Sequence, residues 1–317
     1  MDKTIVRATS VRESAMASVI ASFSQELATA AEQVGSSVVT VQTRHRVPSS
    51  GIHWRKGVVV TANHTVRRED DINVLIHGGK RVSAKLAGRD PGTDLAILKF
   101  DEADLPVPRF GDPANLKLAN FVLALGRARF GNLVASAGII GGLGSEWRTW
   151  RGGRIDQSIR LDLALYPGFS GGPLVSVDST VLGLNTNGFG RGRAVTIPVS
   201  TINRTVDELL EKGHIARPYL GIAMQPVAIP EALRGKLKSA AEGGLVVLHV
   251  EPGGPADTAG IVLGDVIVEL QGKPALDTEH VQDVLASAKV GQKIGTTIIR
   301  GGVPVVLSIA LGERPAK

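Results

Sequence analysis

Tyr166-Pro167-Gly168-Phe169-Ser170-Gly171-Gly172-Pro173-Leu174 carries a serine with glycine two positions before it and directly after it. Glycine reaches backbone conformations closed to other residues and lets the main chain approach a ligand closely. The N–H groups of such a turn can therefore converge on one point. An oxyanion hole needs this geometry: two backbone donors about 2.7–3.1 Å from a developing negative charge. A nucleophilic serine also needs a base, and the base needs an orienting acid. Of the seven histidines, His64 stands at the end of the apolar run Val58-Val59-Val60, within Thr61-Ala62-Asn63-His64-Thr65-Val66. Three aspartates compete for the third role: Asp94, which opens an apolar strand in Asp90-Pro91-Gly92-Thr93-Asp94-Leu95-Ala96-Ile97-Leu98-Lys99, and Asp90 and Asp162.

With Asp94 as the acid, the chain order is His, Asp, Ser. Chymotrypsin-type β-barrel proteases share that order; subtilisins and α/β-hydrolases do not. The surrounding pattern agrees. From residue 38 onward, short β-branched runs are broken by Gly, Pro and Asn: Val38 to Thr43, Gly57 to Thr61, Ile72 to Ile76, Val82 to Leu86, Leu95 to Phe100, Phe121 to Leu125, Leu133 to Ile140, Leu174 to Val177 and Val181 to Asn185. Many short, closely spaced strands indicate a barrel or sandwich. Glycine, 38 of 317 residues, is about 12% against an average of roughly 7%, which suits a turn-rich fold.

Two helices flank this region. Apolar residues at Val19/Ile20, Phe23, Leu27, Ala30/Ala31 and Val34 recur at helical spacing over residues 11–34. A second helix is expected from Ser200, as N-cap, to Lys212, stopped by Gly213. His214 to Pro218 reads as a linker. Beyond it lies a smaller β-rich unit, with strands near Tyr219 to Met224, Leu245 to Val250, Asp265 to Gln271, Gly295 to Arg300 and Pro304 to Leu311, and a helix from Thr278 to Lys289. The expected division is an N-terminal extension at 1–35, a catalytic domain at 36–213, a linker at 214–218 and a second domain at 219–313.

Composition narrows the function classes. Apolar residues make up 43% of the chain, enough for a buried core, and the absence of cysteine excludes disulfides, thiolate metal sites and a cysteine nucleophile together. No run reaches the ~18 apolar residues of a membrane span. Asp2 and Glu13, ahead of the short apolar stretch Ala15 to Phe23, suit no secretory leader. As given, the chain reads as cytoplasmic, with a leader already removed as the alternative. The net charge of +6 lies wholly before residue 217, and eight arginines (127, 129, 148, 151, 154, 160, 191 and 193) fall between 122 and 193 against four acids. They are expected to ring Ser170. Without a nucleic-acid motif among them, no nucleic-acid partner is expected.

These motifs together resemble the HtrA (high-temperature-requirement, DegP-like) family of serine proteases, from about residue 36 to 311. The family's histidine motif is matched at 61–66. Its acid motif, D-x-x-T-D-L-A-hydrophobic-L-K, is matched from Asp90 to Lys99 and singles out Asp94. The nucleophile motif is matched from Pro167 to Leu174, with Tyr166 and Phe169 standing where the family usually has Asn. Leu182-Gly183-Leu184-Asn185-Thr186, Val195-Thr196-Ile197-Pro198 and Tyr219-Leu220-Gly221-Ile222 extend the correspondence. The resemblance implies a mainly β chain, a chymotrypsin-like double β-barrel protease domain followed by a PDZ domain, with no cofactor and no metal.

It also implies roles. His64, Asp94 and Ser170 would be catalytic, and Gly168 and Ser170 would supply the oxyanion hole. Ala164, six before the serine, would sit at the base of a substrate pocket shaped by Leu165, Tyr166 and the 185–194 loop, which favours cleavage after small or medium aliphatic residues. Tyr219, Leu220, Gly221 and Ile222 would receive peptide C-termini by strand addition. Gly141 to Arg154, with Trp147, Trp150, Arg148, Arg151 and Arg154, occupies the place of the family's sensor loop. Unfolded polypeptides would be substrates, and the helix containing Phe23 would support a homotrimer or higher oligomer. The competing expectation, motivated by Phe169, is a catalytically impaired peptide-binding or chaperone-like protein.

Overall fold

The computed structural model describes residues 3–43, 48–101, 105–127, 131–189, 194–235 and 242–315, with side chains from residue 18 onward. The chain divides into two units, Met1–Ile215 and Ala216–Lys317. In the first, the β-branched runs close into two antiparallel six-stranded barrels. Barrel one comprises β1 (Val38–Gln42), β2 (Ser49–Arg55), β3 (Val58–Ala62), β4 (Ile72–Leu75), β5 (Arg81–Asp90) and β6 (Leu95–Phe100), bonded in the order β1-β2-β3-β6-β5-β4 and closed by β4 on β1. Barrel two comprises β7 (Phe121–Arg127), β8 (Leu133–Gly144), β11 (Ser158–Asp162), β12 (Pro173–Ser176), β13 (Val181–Thr186) and β14 (Val195–Pro198), closed by β8 on β11. Between β8 and β11, β9 (Trp147–Arg148) and β10 (Arg154–Ile155) pair as a small hairpin. Closure leaves neither barrel an open edge to aggregate.

One apolar core forms the seam between the barrels. Ile52, Val60 and Ile97 from the first meet Leu125, Leu184 and Ile197 from the second. Two helices cover this seam: α1 (Lys3–Gly35) through Ala30 and Val34, and α2 (Val199–Lys212) through Ile202, Val206 and Leu209. Among its described side chains, those buried in α1 belong to its last turns. Phe23 meets Phe121 edge-on at 5.0 Å, while Val19 and Ile20 remain 67% and 63% exposed. The helix starts earlier than the 11–34 expected, and Val19 and Ile20 stay off the barrels.

Two points of the expected secondary structure need correction. Ser200 is not the N-cap of α2: Pro198 takes that place with no capping side chain, because β14 runs straight into the helix and draws Val199 into the seam. Gly213 does end it, in the left-handed region at φ 77°. Strands β2, β11 and β14 were not expected. Ser49, Ser50 and His53 make β2 look polar, yet all three are buried with hydrogen-bonded partners for Ser50 and His53.

The second unit carries a sheet in the order β16-β17-β18-β20-β21, formed by Ile222–Ala228, Gly243–Val250, Val266–Leu270, Lys293–Arg300 and Val303–Ala310, with β19 (Lys273–Pro274) on β18. A separate pair joins β15 (Pro218–Tyr219) to β22 (Gly312–Glu313). The strand expected over Tyr219 to Met224 is thus broken at Gly221, whose φ of 75° turns the chain from β15 to β16. Short helices α3 (Glu231–Arg234) and α4 (Pro255–Thr258) precede α5 (Thr278–Ser287), which buries Val281, Val284 and Leu285. Asp265, buried, binds Arg300 through Nε at 2.8 Å and Nη2 at 2.7 Å.

Candidate active site

The register of β3 on β6 pairs Ala62 with Leu95, so the chain leaving β3 meets the chain entering β6. His64 lies in the one-turn helix Asn63–Thr65 on the first side, and Asp94 on the second. Asp94 adopts a left-handed φ of 57°, a region Asp tolerates better than most side chains. The turn before it is held by Asp90, whose carboxylate accepts from Gly92 N at 2.9 Å, Thr93 N at 3.1 Å and Thr93 Oγ1 at 2.7 Å. Asp90 is thereby committed to the turn, and Asp162 is exposed at the end of β11. Of the three competing aspartates, Asp94 is the one joined to His64.

Buried Asp94 accepts from three donors: His64 N to Oδ1 at 2.8 Å, His64 Nδ1 to Oδ2 at 2.8 Å, and Thr186 Oγ1 to Oδ2 at 2.5 Å. An ionised carboxylate only accepts, so Nδ1 carries the imidazole proton and Nε2 presents its lone pair. Gly188 closes over this pair. A Cβ there would lie 2.3 Å from Asp94 Oδ2 and 2.7 Å from His64 Nδ1.

Ser170 comes from the other barrel, just before β12. Residues 166–169 form a turn closed by Phe169 N to Tyr166 O at 3.0 Å, with Pro167 second and Gly168 third at φ 97°. Proline then glycine with positive φ is the signature of a type II turn. Among the described residues, the N–H groups of Gly168 and Ser170 have no partner, whereas those of Gly171 and Gly172 are bonded to Asn185 O and Phe169 O at 2.9 Å each. The Phe169 ring points away from solvent. It is buried against Gly126, where a Cβ would come within 3.3 Å of its Cγ. Ser170 Oγ donates to Asn187 Oδ1 at 3.1 Å.

Ala164, Leu165 and Tyr166 lead into this turn; Ala164 and Tyr166 are exposed, and the Tyr166 ring lies 5.9 Å from that of Phe169. The expected ring of arginines is only partly described, since Arg129, Arg191 and Arg193 lie outside the described residues. Arg127 is not a surface charge at all. It is buried, its guanidinium donating to Gly35 O, Val38 O and Gly131 O at 2.7, 2.6 and 2.6 Å, and that burial lowers its pKa from the ordinary arginine value. Arg154 pairs with Glu146 at 2.9 Å, and Arg151 lies 4.5 Å over the Trp150 ring. Gly141 to Gly144 are part of β8 rather than of a loop. The β9–β10 hairpin that follows docks on the acid's turn: Thr149 Oγ1 donates to Gly92 O at 2.8 Å, and Trp147 meets Phe189 edge-on at 5.4 Å.

Two family models match the chain: a trypsin-like peptidase domain over residues 49–184 and a PDZ domain over residues 218–311. The chain belongs to the HtrA family of PDZ-containing serine proteases. Its curated HtrA relatives include a "Probable periplasmic serine endoprotease DegP-like" of Pseudomonas fulva, 34% identical over 267 residues, covering 83% of this chain and 55% of the relative. Another is "Serine protease Do-like HtrA" of Lactobacillus helveticus, 36% identical over 272 residues, covering 81% and 65%. The chain therefore spans between 55% and 65% of the length of these two relatives. Among solved HtrA structures, "HtrA-type protease AlgW with decapeptide" superposes with a TM-score of 0.68 at 26% identity, covering 92% of this chain and 99% of that one. The serine endoprotease from Yersinia pestis gives 0.68 at 28%, covering 90% and 97%.

In the PDZ unit of this HtrA chain, β16 is an edge strand that pairs on one side with β17. Gly221 and buried Leu220 immediately precede it, and their N–H groups have no partner among the described residues. Tyr219 has its pKa raised, first by burial and then by Glu251. Sequence reasoning missed Thr186 and Asn187 as partners of Asp94 and Ser170. Thr186 ends the quoted run Leu182 to Thr186 and Asn187 follows it, but β13 is buried at every position, so no alternation marked which side chain meets the acid. No helix among the described residues is long and apolar enough to cross a membrane.

Proposed function

We propose that this chain is an HtrA-type serine endopeptidase acting through residues 36–213, with a peptide-binding PDZ domain at 219–313. Ser170 Oγ attacks the scissile carbonyl, His64 Nε2 takes its proton, and Asp94 holds the imidazole tautomer and stabilises the imidazolium. Gly168 N–H and Ser170 N–H receive the oxyanion. The observation that carries the reading is the Asp94–His64 pair at 2.8 Å, together with a serine turn whose Gly168 and Ser170 N–H groups have no partner among the described residues. Ala164 places no carboxylate at the pocket base, so Leu165, Tyr166 and Ala164 favour small or medium aliphatic side chains before the cut. A peptide library dominated by Lys or Arg at that position would contradict this.

Relatives are named periplasmic serine endoproteases and AlgW was solved with a decapeptide. In keeping with them, we propose unfolded polypeptides as substrates, C-terminal peptides at Tyr219–Ile222, a homotrimer built through α1, and an exported setting. Labelling of Ser170 by a fluorophosphonate, together with casein hydrolysis, tests the core of this reading against Ser170→Ala. No labelling of the parent, with or without a hydrophobic C-terminal peptide, rejects it. The Ser170 to Asn187 hydrogen bond favours the second reading, an impaired peptide-binding protein. Labelling separates the two.

A further inference from the structure

We propose that Ser50 is a positioning residue for the oxyanion turn, an inference that rests on the peptidase reading above. Ser50 lies in β2 of the first barrel, fully buried, at the point where that barrel faces the turn of the second. All three of its polar groups are engaged. Its N–H donates to Ser170 O at 3.1 Å, and its Oγ donates to Gly168 O at 2.7 Å while accepting from Arg127 N at 2.8 Å. Its carbonyl accepts from Thr61 Oγ1 at 2.6 Å.

These contacts bracket one of the two proposed donors. The N–H of Ser170 belongs to the Phe169–Ser170 peptide, and Ser50 fixes the peptide on each side of it, through the carbonyls of Gly168 and Ser170. Peptides are planar, so holding a carbonyl holds its whole plane. Fixing the plane that follows Gly168 also limits rotation at a glycine that otherwise has the freest backbone in the turn. The clamp is in turn rigid: Arg127 N and Thr61 Oγ1 leave the Ser50 side chain and carbonyl one arrangement. Gly171 must be glycine for the turn to come this close, because a Cβ there would stand 2.0 Å from Ser50 O. Donors aimed at developing charge stabilise it only while held in place.

The test compares the full-length parent with Ser50→Ala, counting active sites by fluorophosphonate titration. Loss of the Oγ contact is expected to lower kcat per titrated site by about 10- to 100-fold with KM within about twofold, since the removed interaction acts on the transition state. A peptide boronate, which places oxygen in the hole, should lose affinity by a similar factor. Hydrogen exchange in the segment 166–172 should quicken. An unchanged kcat per site, unchanged boronate affinity or unchanged exchange each overturns the proposal. If Ser50→Ala does not fold, Ser50→Cys, of similar size but a weak donor, is read in the same way. A parent that neither labels nor turns over refutes the peptidase reading instead, and exchange still decides whether Ser50 holds the turn.

Discussion

The hydroxyl of Ser170 is held by Asn187, donating to its Oδ1 at 3.1 Å, while His64 is held by Asp94. On the proposed reading, base and nucleophile are each oriented, but by different partners. Replacing Asn187 by Ala releases the hydroxyl toward Nε2. The second-order rate of fluorophosphonate labelling is expected to rise about three- to tenfold, the scale of one neutral hydrogen bond of about 1 kcal/mol. A fall in that rate would show that Asn187 assists attack.

Thr186 is the third donor to Asp94. Thr186→Val keeps the shape and removes the hydroxyl, leaving the carboxylate freer to swing. A loss of roughly tenfold in kcat is expected, in line with partners that orient a catalytic ligand, with KM little changed. Thr186→Ser, which keeps the donor, should restore most of it. Steady-state kinetics of the three forms check this; equal kcat in all would remove Thr186 from the site.

The β9–β10 hairpin bears on the acid through Gly92. A Cβ at Gly153 would stand 2.1 Å from Gly92 C and O, which belong to backbone that cannot simply swing aside. Gly153→Ala is therefore expected to push the hairpin off the turn that sets Asp94. Overpacking of this kind costs about 1–3 kcal/mol, and kcat should fall alongside. Thermal melts and kinetics check both; a variant as stable and active as the parent would show that the hairpin is not seated.

In the second unit, burial pushes Asp265 up, but hydrogen bonds from Arg300 and Val262 N and the Arg300 charge outweigh it and leave its pKa below the ordinary 3.8. A carboxylate with depressed folded pKa contributes stability that is present above its unfolded value and is lost as pH falls through the folded one. Asp265→Asn should therefore lower the melting temperature of this unit at pH 7, and the gap from the parent should narrow below pH 3.8. A gap constant from pH 7 to pH 2 would mean that packing, not charge, holds Arg300.

His64, Asp94 and Ser170 were legible because motif residues sit at strand ends, where short apolar runs give way to turns. The choice of Asp94 over Asp90 and Asp162 came from the family motif; its physical basis is the β3–β6 register, which no local pattern encodes. Phe169 motivated the competing reading from sequence; that its ring is interior, where Gly126 leaves space for it, depends on a residue far away in the chain. Arg127 read as surface charge since nothing in its neighbours announces three carbonyls waiting inside. Strand β2 was missed for a similar reason: Ser50 and His53 look solvent-facing until their partners, far along the chain, are in place.

His64 and Asp94 belong to one barrel, while Ser170 and Thr186 belong to the other, and a single apolar seam joins them. Each barrel closes its own ladder of hydrogen bonds, so neither ladder by itself fixes where Ser170 stands relative to His64. On the proposed peptidase reading, reactivity reports how well the two barrels are aligned across that seam.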